Sequence, residues 1–159
     1  METDFLIVDD EEKLRSSLKE LFNYNGIFPE TVSNGSEALE IIENNSIKVV
    51  FSDIQMPDLD GLELLEKAKA IDPDIQFIIL TGYPNFEYTK KAFKNDAFEF
   101  FKKSHASPAD MIDAYTKAKS RYDLLKEKKQ SQSQNERMHN ALNTIFDSLE
   151  AVVYIADIQ

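Results

Sequence analysis

Short apolar runs and amphipathic stretches alternate along about the first 120 residues. Phe5-Leu6-Ile7-Val8 reads as a buried strand, and a helix from Glu11 to Asn23 follows, with Leu14, Leu18, Leu21 and Phe22 on one face. Gly26 stops that helix, and Phe28 to Val32 is a weaker second strand. Ser33-Asn34-Gly35-Ser36-Glu37 supplies capping side chains for a helix through Ile42. Lys48-Val49-Val50-Phe51-Ser52 is a β-branched and aromatic run, the pattern of a strand buried on both faces. A helix from Gly61 to Ile71 comes next, and Asp72-Pro73-Asp74 breaks it before a fourth strand, Phe77-Ile78-Ile79-Leu80-Thr81. Phe86 to Lys94 is helical and Phe98 to Phe101 is a fifth strand. Ser107-Pro108-Ala109-Asp110 opens the last helix with an N-cap, a proline at the first helical position and an acid two residues later.

Five strands alternating with five helices predict an α/β domain whose parallel sheet is covered on both faces. Right-handed crossovers leave few topologies, and the flavodoxin-like doubly wound order 2-1-3-4-5 is the expected one, with the last helix extended beyond the domain.

In such a sheet, ligands gather at the carboxyl ends of the strands. The first strand delivers Asp9 and Asp10 there, the third Asp53, the fourth Thr81, and the fifth Lys102 or Lys103. Singly, each has an ordinary explanation: acids favour a helix N-terminus, aspartate forms turns, threonine ends strands and lysine sits in solvent. Together they form a constellation. Three carboxylates suit Mg²⁺ (or Mn²⁺), hard ions that take oxygen ligands. A hydroxyl and an ammonium are what a phosphoryl group needs, one to donate a hydrogen bond and the other to neutralise charge.

Composition narrows the field. The chain has 159 residues, 42% of them apolar, enough for one domain with a real core and about thirty to forty residues more. Its net charge of −11 opposes binding of nucleic acid or anionic lipid by this segment. With no cysteine there are no disulfides and no thiolate chemistry. The acidic start and the short apolar run after it do not make a signal peptide, and no run is long enough to span a membrane, so a cytoplasmic location is expected.

The residues Val8-Asp9-Asp10, Ser52-Asp53-Ile54-Gln55-Met56-Pro57 with Asp60-Gly61, Thr81-Gly82 and Phe100-Phe101-Lys102-Lys103 resemble the motifs of the receiver domains of two-component response regulators. The resemblance covers roughly residues 3 to 120. It implies that Asp53 accepts a phosphoryl group from a histidine of a partner kinase or phosphotransfer protein. It further implies that Asp9, Asp10, Asp53 and the main-chain carbonyl of Gln55 hold Mg²⁺, and that Thr81 and Lys103 contact the phosphoryl oxygens. Phe100 falls at the family's switch aromatic, and Gln55 and Tyr83 at positions that tune dephosphorylation. Two departures bear on the output. Lys103 is followed by Ser104 where the family has a cis proline; a cis bond without proline costs about 2.5–4 kcal/mol, so a trans peptide is expected. Phe100 also lacks the hydroxyl of the family's usual tyrosine.

Beyond the domain, expected to span residues 1–122, Met111, Tyr115, Ala118, Tyr122 and Leu125 are spaced as in a heptad repeat, though the first half of that seam is needed to cover the sheet. Residues 126–137 carry no apolar side chain and read as a solvated helix or a linker. Met138, Leu142, Ile145, Leu149 and Val152 then resume the spacing, one residue out of phase. If helical from Ser107 to Glu150, the element is about 66 Å long at about 1.5 Å per residue, and a homodimer through residues 107–152 is expected, with 123–150 as the linker; the other reading is a broken helix folded back on the domain. Residues 145–157 resemble the entry to a PAS sensory domain, where a helix leads into the first strand, with 151–159 as the start of a domain continuing in a longer protein.

The expected function is therefore a phosphoacceptor switch, not itself an enzyme, driving a downstream module through a helical linker; the output, a kinase or a cyclic-dinucleotide enzyme among the options, is open. The alternative is a pseudo-receiver that keeps the fold as a phosphorylation-independent interaction module. A flavin-binding enzyme is disfavoured, because Asp9-Asp10-Glu11-Glu12 would repel a phosphate after the first strand.

Overall fold

The computed structural model describes residues 3–158. Its elements are β1 (Phe5–Val8), α1 (Glu12–Tyr24), β2 (Glu30–Val32), α2 (Gly35–Asn44), β3 (Val49–Ser52), α3 (Gly61–Ile71), β4 (Gln76–Thr81), α4 (Phe86–Lys94), β5 (Glu99–Lys102) and α5 (Pro108–Asp157). The strands form one parallel sheet in the order β2-β1-β3-β4-β5, as expected. Strand β2 is shorter than its apolar pattern suggested, and β5 starts and ends one residue later.

Alternation along each strand builds two cores. Leu6, Val8, Val50, Phe77 and Ile79 face one layer, where Ala38, Ile42, Leu64, Leu65 and Ala92 of α2, α3 and α4 cover them. Phe5, Ile7, Val49, Phe51, Ile78 and Leu80 face the other, under Leu18 and Phe22 of α1 and Met111, Ala114, Tyr115 and Ala118 of α5. Edge-to-face aromatics knit this second layer: Phe5 lies 4.8 Å from Phe22 and 5.2 Å from Phe51, and Phe22 lies 5.7 Å from Tyr115. The first half of the α5 seam is thus consumed by the domain's own core. At its end the buried Tyr122 donates a hydrogen bond to Asp72 Oδ2, 3.0 Å away.

The chain divides into two compact units, the first ending at Asp123 and the second starting at Leu124. Within the second, residues 126–137 are helical, and every side chain from Glu127 to Ile158 is exposed. The strand expected at the start of 151–159 is not formed among the described residues; α5 continues through Asp157, and residue 159 lies outside them. An isolated strand leaves its N–H and C=O groups without partners, whereas a helix pairs them internally. No helix among the described residues is long and apolar enough to cross a membrane.

Candidate functional site

The constellation is assembled by register. Val8 pairs with Ser52 and Ser52 with Ile79, so the residues that follow, Asp9 and Asp53, lie side by side just past the ends of β1 and β3. Backbone bonds fix both: the Asp9 N–H donates to the Val32 carbonyl at 3.2 Å and the Asp53 N–H to the Val8 carbonyl at 3.0 Å. Both side chains are buried, at 2% and 6% exposure. Asp9 Oδ1 accepts the Glu11 N–H at 2.8 Å, and Asp53 Oδ1 accepts the Ile54 N–H at 2.7 Å. Asp10 is exposed, yet one carboxylate oxygen of each of Asp9, Asp10 and Asp53 lies within 4.8 Å of the others.

From the far side of the cluster comes Lys103. Its N–H donates to the Thr81 carbonyl at 2.8 Å, which ties the residue after β5 to the end of β4. Its ammonium reaches Asp9 Oδ2 at 2.8 Å and Asp53 Oδ2 at 3.0 Å. Lys102, the other lysine the sequence left open, pairs in register with Thr81 and is exposed. The Lys103–Ser104 peptide is trans, since the described residues contain no cis bond.

Burial pushes the Asp53 carboxyl up from its ordinary range; the bond and charge of Lys103 pull it back, and the neighbouring Asp9 carboxylate pushes it up again, leaving it raised. Burial pulls the Lys103 ammonium down, but Asp9 and Asp53 outweigh it and hold it above its ordinary value. By geometry, three carboxylates gather around one ammonium, and the pocket is short of positive charge. An all-oxygen donor set deficient in cationic charge fits a hard divalent ion.

Thr81 is buried, and its hydroxyl oxygen accepts the Tyr83 N–H at 3.3 Å. A cavity of about 430 Å³ opens above the acids, lined by Asp10, Glu11, Asp53, Gln55, Gly82, Tyr83 and Lys103. Gln55 therefore stands on the wall of the site. Phe100 does not reach it: paired with Ile79, it is half-buried against the core layer beneath α2, α3 and α4.

Two supports escaped the sequence reading. Arg15 Nη1 donates to the Asp9 carbonyl at 2.8 Å, pinning the β1 end from one helical turn away. Gly61, read from sequence as a helix start and as part of the Asp60-Gly61 motif but given no role, lies against the back of the acid: a Cβ there would stand 1.9 Å from the Asp53 carbonyl oxygen. Asp60 beside it caps α3, its carboxylate accepting the Leu62 and Glu63 N–H groups at 2.9 and 2.8 Å. The proximity of Asp60-Gly61 to the acid was in the motif spacing; the contact needed the fold.

A family model described as the response regulator receiver domain matches residues 5–116. The chain is similar to the sporulation initiation phosphotransferase F of Bacillus subtilis (strain 168), 34% identical over 126 residues, covering 79% of this chain and 98% of that protein. It is also similar to the transcriptional regulatory protein YesN of the same organism, 36% identical over 92 residues, covering 56% of this chain; the match spans only 25% of that longer relative. Among solved structures, a response regulator receiver domain protein from Clostridium thermocellum superposes with a TM-score of 0.72 at 34% identity, covering 77% of this chain and 98% of that one.

Proposed function

This chain belongs to the response regulator receiver domain family, and from that premise we propose that Asp53 is a phosphoacceptor charged by a histidine kinase or a histidine phosphotransfer protein. The observation that carries the reading is the Lys103 ammonium, 2.8 and 3.0 Å from two acids of a three-carboxylate cluster at the carboxyl edge of the sheet. One Asp53 oxygen, Oδ1, is held by the Ile54 N–H. The other, Oδ2, attacks the phosphorus of a phosphohistidine; the P–N bond breaks, its electron pair returns to the imidazole, and an acyl phosphate forms on Asp53. Water later cleaves that acyl phosphate and restores the carboxylate.

Asp9, Asp10, Asp53 and the Gln55 carbonyl would hold Mg²⁺ or Mn²⁺, which when bound supplies the positive charge the transferring phosphoryl group requires. Lys103 already touches the acceptor and neutralises one phosphoryl oxygen. Thr81, whose hydroxyl oxygen accepts from the Tyr83 N–H, would donate its proton to another. The new acceptor group, carrying about −1.5 to −2 charge, draws Thr81 in. The space it leaves favours an inward Phe100, which reshapes the face of α4, β5 and α5. Residues 1–122 form the switch, 123–150 the helical linker to a downstream module, and a second copy of the chain is a further partner through residues 107–152.

The test is incubation with Mg²⁺ and a small acyl phosphate, followed by intact-mass measurement. The wild type is expected to gain one phosphoryl adduct, and Asp53→Asn none. No adduct on the wild type, or equal adducts on both, refutes the reading in favour of a phosphorylation-independent interaction module.

A further inference from the structure

The distal half of α5 carries nine large apolar side chains in exposed positions, from Met138 to Ile155. A surface that apolar on one helix needs a cover. It does not continue the seam that Met111, Tyr115, Ala118 and Tyr122 bury in the domain, because Leu125 to Met138 is thirteen residues, one short of two heptads. Within it, Met138, Leu142, Ile145, Leu149 and Val152 repeat every 3.5 residues. A helix of 3.6 residues per turn drifts by about 20° per heptad from such a stripe, and supercoiling against a helix with the same repeat keeps the stripe in register with its partner. A second copy of this chain has that repeat by construction.

Charge points the same way. With Leu142 and Leu149 at a, and Met138, Ile145 and Val152 at d, the flanking e positions are His139, Phe146 and Val153, and the g positions Ala141, Ser148 and Ile155. None is a carboxylate or an ammonium group. The acids of the segment, Asp147, Glu150 and Asp157, all fall on the outward positions f and b. Two copies meeting along this seam face each other without like-charge opposition.

We infer that residues 138–156, and not the proximal part of α5, are a self-pairing seam whose occupant is the same segment of a second copy. This moves the dimer proposed above to the distal part of α5 and does not depend on phosphorylation. The experiment is sedimentation velocity of the 159-residue chain across micromolar concentrations, for the wild type, Ile145→Glu/Leu149→Glu, and the outward-facing Asp147→Ala. The wild type and Asp147→Ala are expected to sediment as multiples of one chain. The double variant is expected to be monomeric, its association weakened by about a hundredfold or more. Circular dichroism is read alongside. Retained helix in the monomeric variant shows that pairing alone was lost, and helix lost together with mass marks a helix that forms only when paired. A monomeric wild type overturns the inference, as does association that survives the double variant. The Asp53 adduct is measured on the same samples, so a failure of pairing is told apart from a failure of the phosphoacceptor reading.

Discussion

Gly61→Ala tests whether the site is built on close backbone approach. The added Cβ would stand 1.9 Å from the Asp53 carbonyl oxygen and 2.8 Å from its carbonyl carbon, against a floor of 3.0 Å for real Cβ contacts. The two chains must therefore separate by about an ångström or more. Neither is free to move. The Gly61 N–H donates to the Ile54 carbonyl at 2.9 Å, the Asp53 N–H to the Val8 carbonyl at 3.0 Å, and the Ser52 hydroxyl to the Asp53 carbonyl at 2.8 Å. Overpacking costs about 1–3 kcal/mol and each weakened hydrogen bond about 1 kcal/mol more, so the expected loss is about 2–4 kcal/mol. For a domain of this size that lowers Tm by about 8–16 °C. Urea unfolding followed by near-ultraviolet circular dichroism of the tyrosines measures it, with an unchanged slope as the check on two-state behaviour. Gly82→Ala is the comparison: it also sits at the site, but its Cβ would meet nothing nearer than 3.9 Å from the Lys103 side chain, so it is expected within about 0.5 kcal/mol of wild type. A Gly61→Ala loss below about 1 kcal/mol, or equal losses in the two variants, would show that the close approach is not a constraint.

Two further outcomes follow from the same geometry. The Asp53 carboxyl is raised in the folded state, so the folded protein binds that proton more tightly than the unfolded chain and loses stability as pH rises from the ordinary carboxylate range through the raised value. Asp53→Asn, measured without added metal, is therefore expected to be more stable than wild type at pH 7, with the gap closing as pH falls through that window in urea titrations. Asp60→Ala removes the acceptor of the Leu62 and Glu63 N–H groups and should cost about 1 kcal/mol in the same assay, since those donors have no other cap.

Much of this was legible along the chain because period and position carry it. Strand and helix repeats set the alternation of elements, and alternation with handedness fixes the sheet order, so Asp9, Asp10, Asp53 and Thr81 could be assigned to one edge without coordinates. Local signals went less far. Phe98, Phe100 and Phe101 are apolar around the charged Glu99, and that composition does not mark where a strand begins; pairing with β4 set β5 at Glu99–Lys102. That shift matters, because it is the turn after Lys102, with the Lys103 N–H on the Thr81 carbonyl, that sends Lys103 and not Lys102 to the acids. Residues 151–156 have strand-like composition, yet they are helical.

By itself the sequence determined which chemical groups this protein can bring to one sheet edge: carboxylates, a hydroxyl and an ammonium, with no thiol among them. The tertiary structure decided how they meet. It buried Asp9 and Asp53 side by side, left Asp10 in solvent, chose Lys103 over Lys102, packed Phe100 against the core rather than into the pocket, and set Gly61 against the Asp53 carbonyl. The physical reason is that contacts between residues 9, 53, 61 and 103 depend on strand register and chain crossing, which no local window of sequence contains, whereas periodicity and residue chemistry are local and can be read directly.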